Sequence, residues 1–226
     1  LQRDPRNRLL ARGARFRLDA EVIRDTTLSI AGLLYLKEIG GPSMFPPVPQ
    51  SVLDYNYVKP TYWVPPEGPE RYRRGLYIVR KRSMPDPVMT SFDAPNADIA
   101  CARRPRSNTP LSALTSLNET TFVEAAQALA LRILREGGSD DAARVRHAYL
   151  LCTARPARPT ELQEVLNLLA TNRERLARGE LKAAPIAFSK FTKLEDLPAH
   201  ASPNDVAAWT IVSRVLLNLD ETLSRP

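Results

Sequence analysis

The sequence predicts a mainly α fold, a helical bundle joined to a long proline-rich loop and a small β-hairpin. Three observations carry this. Apolar residues recur at helical spacing between Arg17 and Lys37. From Thr109 onward, cap residues and glycine or proline stops alternate with apolar-periodic segments. Between Pro42 and Pro69 prolines and aromatics replace periodicity of either kind.

Taken in order, Leu18, Val22, Ile23, Ile30, Leu33, Leu34 and Leu36 mark a first long helix over 17–37 that Gly40, Gly41 and Pro42 stop. The stretch 42–69 follows as a loop stiffened by proline and pinned by Tyr55, Tyr57, Tyr62 and Trp63. Leu76, Tyr77, Ile78 and Val79 favour a strand, whose hairpin partner is either the preceding loop or the segment from Val88 to Phe92. Thr109 before Pro110 caps a short helix through Leu117. Asn118 is placed to cap a helix over 121–136, which Gly137 and Gly138 end. Ser139, Asp140 and Asp141 open the next helix, with acidic charge at its positive end. Thr160 to Gln163 has the form of a capping box for a helix reaching about Arg178. After a polar connection over 179–201, Ser202 and Asp205 start a final helix with Val206, Trp209, Val212, Val215, Leu216 and Leu219 on its apolar side. Residues 1–107 thus carry the first helix, loop and hairpin, and residues 108–226 the bundle, within one domain.

Composition narrows function from the other side. At 226 residues and 43% hydrophobic content the chain can bury a core without cross-links. No apolar run is long enough to span a membrane. Cys101 and Cys152 lack the spacing of a zinc, iron–sulfur or haem-attachment site, and one disulfide or two free thiols are both open. His147 and His200 stand alone, so no metal site is expected and a His-based triad has few candidates. The chain opens on a polar, Arg-rich stretch that reads as the interior of a longer protein. Its net charge is +7, and between Arg71 and Arg106 nine Arg or Lys face three Asp, so most of the excess sits in one segment.

Within that segment Arg73, Arg74, Arg80, Arg82, Arg103 and Arg104, with Tyr77, form the candidate anion site, and Lys81 and Arg106 can join the same cradle, since guanidinium forks match planar oxyanions bidentately. On a strand, Arg80 and Arg82 share one face and Lys81 takes the other. Pairing with Asp86, Asp93 and Asp98, or with carbonyls of the long loop, is the competing reading of the same arginines. Asp93, in a turn, can accept backbone amides or hold Arg103 or Arg104. Glu21 and Asp25, a helical turn apart, resemble paired carboxylates, but one exposed helix does not oppose two carboxyl groups as glycoside hydrolysis requires. Tyr62, Trp63, Tyr72 and Tyr77 are sugar-stacking surfaces or loop anchors. Nothing places either histidine beside Cys101 to make a nucleophile.

Several phrases occur together: RNRLLARGARFRLDAEVIRDTTLSIAGLL, GGPS, YRRGLYIVRKR, FDAPNADIACARRPRSNTPLSALTSLNETTFVEAAQALA and AAWTIVSRVLLNLDET. Over nearly the whole chain these resemble the C-terminal domain of planctomycete-type cytochrome c domain-containing proteins, the domain of unknown function numbered 1553. Two departures stand out: Ser112 where the family phrase has glutamine, and Gly75 where serine is common. The resemblance implies a large exported protein, extracytoplasmic and either periplasmic or of the cell envelope, of which this chain holds the later part of the domain. It implies no cofactor in this chain, with haem a candidate for the parent protein, and upstream domains as partners.

Two functions follow. One is a non-catalytic scaffold that docks on those domains and presents a basic face to an anionic polysaccharide. The other is part of a polysaccharide-processing or redox enzyme whose catalytic residues lie partly upstream. Nucleic acid is not expected as a partner, because the basic segment lacks a recognition helix, an aromatic RNA-binding strand or a Gly-rich phosphate loop.

Overall fold

A computed structural model describes residues 4, 7–11, 13, 15–54 and 63–225. In chain order the elements are β1 (Phe16–Arg17), α1 (Ala20–Ala31), α2 (Gln50–Asp54), α3 (Pro87–Ser91), α4 (Pro110–Asn118), α5 (Thr120–Glu136), α6 (Asp141–Thr153), α7 (Pro159–Ala177), α8 (Ala183–Ala187), α9 (Pro203–Leu217), α10 (Asp220–Leu223) and β2 (Ser224–Arg225). The fold is mainly α with a small two-stranded antiparallel sheet, as expected.

Helix α5 is the axis. It packs on α9 on one side and on α1 on another. Ala125, Ala126, Leu129, Ala130 and Ile133 of α5 are fully buried, as are Val206, Ala207, Ala208, Trp209, Val212 and Leu216 of α9. The alanines let the two backbones approach closely, and the large residues fill the space between them. Helices α7 and α8 close over α9. A second, smaller core joins Ala20 and Ile23 of α1 to Met44, Ile78, Met89, Phe92, Phe122 and Leu223. Phe92 and Phe122 meet there with ring centroids 5.7 Å apart.

The end signals hold where a side chain meets the backbone. Thr109 accepts from the Ser112 amide, Asp140 from the Ala143 amide, and Ser202 and Asp205 form a reciprocal capping box. Elsewhere the structure corrects the reading. Helix α1 ends at Ala31, well before Lys37, because Gly32 takes the left-handed conformation (φ 76°) and caps it with its own N–H. The chain then runs extended, so that Tyr35 bonds the Tyr72 carbonyl. The cap of α5 is Glu119, whose carboxylate accepts the Thr121 and Phe122 amides, while Asn118 closes α4 by donating to the Leu114 carbonyl. For α7 the cap lies two residues early: Pro159 takes the first helical position and Glu161 accepts the Arg158 amide at 2.7 Å. The connection over 179–201 contains α8 and a 3-10 turn at Leu194–Asp196.

The hairpin expected around Leu76–Val79 is not formed there. Gly75–Tyr77 is a 3-10 turn, and Ile78 makes one isolated parallel bridge with Met44. Val88–Phe92 contributes no strand, because Asp86 and Pro87 supply a cap and a first helical position and so start α3. The sheet instead pairs Phe16 with Arg225 and Arg17 with Ser224. Pairing of segments so distant in sequence leaves no hairpin turn to read. Of the loop aromatics, Tyr55, Tyr57 and Tyr62 lie outside the described residues. Trp63 is buried, donates from Nε1 to the Pro46 carbonyl at 2.9 Å and meets Phe45 edge-on, so it anchors the loop.

Two buried hydroxyls of α9, on Thr210 and Ser213, have no hydrogen-bond partner among the described residues. An unsatisfied buried hydroxyl opposes folding, so Thr210→Val and Ser213→Ala should leave the thermal midpoint unchanged or raise it. Trp209→Ala in the same helix should cost about 3–5 kcal/mol by removing the central core side chain. Thermal and urea unfolding of the three variants measures both effects.

Candidate functional site

The basic segment lies across α1 and α5, and its arginines meet carboxylates or carbonyls brought from elsewhere in the chain. Glu21 and Asp25, one turn apart on α1, face it. Arg80 donates to Glu21 Oε1, and Arg104 grips the same carboxylate with both terminal nitrogens, at 2.7 and 3.2 Å. Asp25 accepts Arg74 Nε at 2.9 Å and the Gly75 amide at 2.6 Å. Burial alone would raise the Glu21 pKa, but the bond from Arg104 and the charges of Arg104 and Arg80 outweigh it and hold the group below its ordinary value. A carboxylate held ionised in this way is a poor proton donor at neutral pH. The turn at Gly75 passes so close to α1 that a Cβ there would lie 2.9 Å from the Glu21 Cα. The serine common at that place in the motif would push the two segments apart here.

Arg73 is buried. It donates to the Pro42 carbonyl at 2.7 Å and to the Gly40 carbonyl, with its guanidinium carbon 3.7 Å from the Tyr77 ring centroid. Tyr77 in turn accepts the Gly40 amide at 2.8 Å. Gly40 and Gly41 both have positive φ, near 80°, which a side chain would strain. The phrases GGPS and YRRGLY are thus two halves of one clamp. Arg82 reaches Asp98 at 3.3 Å and is largely exposed, while Arg103 is exposed and has no ion-pair partner among the described residues. Because residues 76–79 do not form a strand, Arg80 and Arg82 turn to different partners. Asp93 holds neither Arg103 nor Arg104; it sits in the left-handed region and accepts the Ser107 amide and hydroxyl.

Sequence reasoning missed the buried charges beneath this layer. Arg24 donates to the Arg73 carbonyl at 2.6 Å and the Arg71 carbonyl at 2.9 Å. Arg71 makes a two-pronged bond to Glu124 of α5, at 2.9 and 2.7 Å, and lies over the Phe191 ring. Tyr72 donates to the same carboxylate. The available signal was a charge on an apolar stripe: Arg24 beside Ile23 and Thr27, and Glu124 in an alanine-rich run. Two carboxyls, the buried Asp86 and the half-buried Glu119, lie near Arg24. Burial raises Asp86 against the amide bonds of Val88 and Met89, and pushes Glu119 up to about 7 against those of Phe122 and Thr121, with Asp86 adding to the rise. Asp86 also lines a small cleft with Arg80, Lys81, Thr90 and Asn96, of about 350 Å³ including its mouth.

Cys101 and Cys152 are unpaired, one exposed and one buried, and burial pushes the Cys152 thiol up to about 12. His147 lies 3.6 Å from Glu136, and His200 bonds the Leu134 carbonyl. Neither forms a pair with a cysteine. Among the described residues no three His, Cys, Asp or Glu are grouped to hold a metal, and no helix is long and apolar enough to cross a membrane.

Glu124→Ala, which strands Arg71 in the interior, should destabilise the protein by about 3–5 kcal/mol, and Arg103→Ala by less than about 0.5 kcal/mol. Urea unfolding at pH 7 compares them. Glu119 binds its proton more tightly folded than unfolded, so it favours folding below pH 4.5 relative to its effect above pH 7, and stability is lost as pH rises between the two. Glu119→Gln keeps an acceptor for the α5 amides. It should therefore match the parent near pH 4.5 and exceed it at pH 8, as unfolding midpoints across that range would show.

The family model described as "PSD1: Protein of unknown function (DUF1553)" matches residues 1–169. No curated protein and no solved structure matches the chain. The matched region ends inside α7, so α9 and the phrase at 207–222 lie beyond it, although α9 is the main packing partner of α5. The matched residues include the GGPS and YRRGLY clamp, the carboxylates of α1 and the Arg71–Glu124 pair, and the chain belongs to the DUF1553 family of proteins of unknown function.

Proposed function

We propose that this chain is a non-catalytic module of an exported multidomain protein, a helical scaffold that docks on other domains of the same protein and offers a basic edge to an anionic polysaccharide. The observation that carries the reading is how the charges are used. Glu21, Asp25 and Glu124, which would have to move protons in an enzyme, are each bound by arginine or tyrosine, and five of the seven residues expected at an anion site are engaged inside the molecule. What remains outward is Arg82, loosely held, and Arg103. Such a surface can attract a polyanion through screened, long-range charge, with little chemistry of its own.

The second reading, part of a polysaccharide-processing or redox enzyme completed by upstream residues and by haem in the parent protein, is favoured by the Asp86 cleft, where a carboxyl of raised pKa sits beside Arg80 and Lys81.

Calorimetric titration with a sulfated polysaccharide and its neutral parent at two salt concentrations tests the first reading. Binding confined to the sulfated chain and weakened by salt is expected, with no new reducing ends after prolonged incubation. Absence of binding, or release of reducing ends, contradicts it.

A further inference from the structure

Three depressions lie side by side along β1 and the 103–108 segment, and all three are bordered by Arg106. The first reaches Arg15, Arg17 and Asn108, and the second Asp19, Arg103 and Arg104. The third, between them, is lined by Arg17, Asp19 and Arg104 as well. Shared walls make them one trough. The two outer parts have about 590 and 1090 Å³ of open space, enough for an extended chain and too shallow to enclose a small molecule.

Five arginines face this trough, and apart from Arg104, which is bound to Glu21, their partners are poor. Arg103 has none among the described residues. Arg106 reaches Asp19 only at 3.9 Å, the outer limit of an ion pair, with both side chains well exposed. Arg15 meets Asp220 at 3.4 Å, again with both groups largely exposed. Arg17 donates from one terminal nitrogen to Asn108 Oδ1 at 2.8 Å, and its Nε is buried without an acceptor. Asp93, which also borders the trough, is occupied by Ser107, and Glu21 behind Arg104 already carries two guanidinium groups. Donors therefore exceed acceptors, the reverse of the clamp formed by Arg73 and Tyr77.

From this we infer that the trough from Arg15 through Arg106 to Arg103 is an oxyanion-binding groove for sulfate or carboxylate groups carried on a polysaccharide chain. The inference rests on the anionic-polysaccharide reading and narrows its place to the Arg103, Arg104 and Arg106 part of the cradle, extended to Arg15 and Arg17 of the β1 region. Phe16 is the exposed aromatic of the trough and the Arg106 guanidinium covers it at 5.2 Å, while Phe92 in its middle part is buried with the Arg17 guanidinium 5.8 Å from its ring centroid, so the stacking platform that single-stranded nucleic acid requires is already taken. Asp19 and Asp220 are the loosely held acids of the groove, and Asp19 stands beside Arg103 and Arg106. It caps α1 by backbone conformation alone, without a side-chain bond, so asparagine can replace it.

The test is titration of the 226-residue chain with a sulfated polysaccharide, sodium sulfate and single-stranded DNA of matched charge, for the parent, Arg103→Ala/Arg106→Ala, Asp19→Asn and Arg82→Ala. The double variant should weaken glycan binding about tenfold or more, Asp19→Asn should tighten it, and Arg82→Ala, outside the groove, should weaken it by about twofold at most. Sodium sulfate should compete only weakly, because single groups lack the gain from many linked contacts. If the parent binds the glycan and neither the double variant nor Asp19→Asn alters it, the groove is wrong and the broader reading stands. Absence of glycan binding by the parent overturns both. DNA bound as tightly as the glycan overturns the assignment to polysaccharide.

Discussion

Arg24 sits inside α1 with both terminal nitrogens donating to the carbonyls of Arg71 and Arg73, and the basic side of the molecule is hung from that contact. Burial disfavours its charge and lowers its pKa, opposed by nearby Asp25, Glu119 and Asp86. A guanidinium is suited to this place because it stays charged and its planar fork reaches two carbonyls at once. The segment so fixed is then bound a second time, when Arg71 turns inward to Glu124 on the axial helix α5. One chain of charged and polar contacts therefore connects α1, the irregular segment and the main core. Removing any one member would leave its neighbour buried and unpaired, which is where such networks are costly.

This explains how the described parts of an irregular stretch of chain are held with so little regular structure. Between Gly32 and Pro87 the described backbone makes few repeating hydrogen bonds, and side chains take over that work: Arg73 and Tyr77 hold the Gly40 turn, Trp63 bonds the Pro46 carbonyl, and Asp25 accepts the Gly75 amide. It also changes what the net charge means. Asp19, Glu21, Asp25 and Glu124 come from outside the segment 71–106 and pair with its arginines, which lowers that segment's excess from six to two. The charge that remains for a partner is smaller than the composition suggests and lies further along the chain, toward Arg103 and Arg106.

Much of the fold was legible in the sequence because its signals are local. Thr109–Pro110, Asp140 and Ser202–Asp205 are caps whose partners lie within four residues, and the apolar stripe of α9 is a direct consequence of helical period. The misplaced features depend on distant residues. The two strands stand at opposite ends of the described chain, so neither carries the turn that reveals a hairpin. Leu76 to Val79 have strand-like composition, yet Gly75 fits against Glu21 only if the chain turns there, and tertiary packing overrides propensity. Of the candidate site residues, sequence identified the arginines and could not assign their partners, since Glu21 is 59 residues from Arg80 and 83 from Arg104. Arg106 was read with Arg103 and Arg104, but Arg15 and Arg17 were passed over because their shared groove exists only once β1 lies beside the 103–108 segment.

Hydrogen–deuterium exchange of Arg73→Ala against the parent chain tests most directly whether the arginines of 71–80 are ties between segments. The amide of Gly40, held by Tyr77, and those of Met44 and Val79, exchanged with Tyr77 and Met44 carbonyls, should lose protection together while the amides of α5 and α9 keep theirs. Unchanged protection at Gly40, Met44 and Val79 would contradict the account and return Arg73 to the pool of residues free to bind a partner.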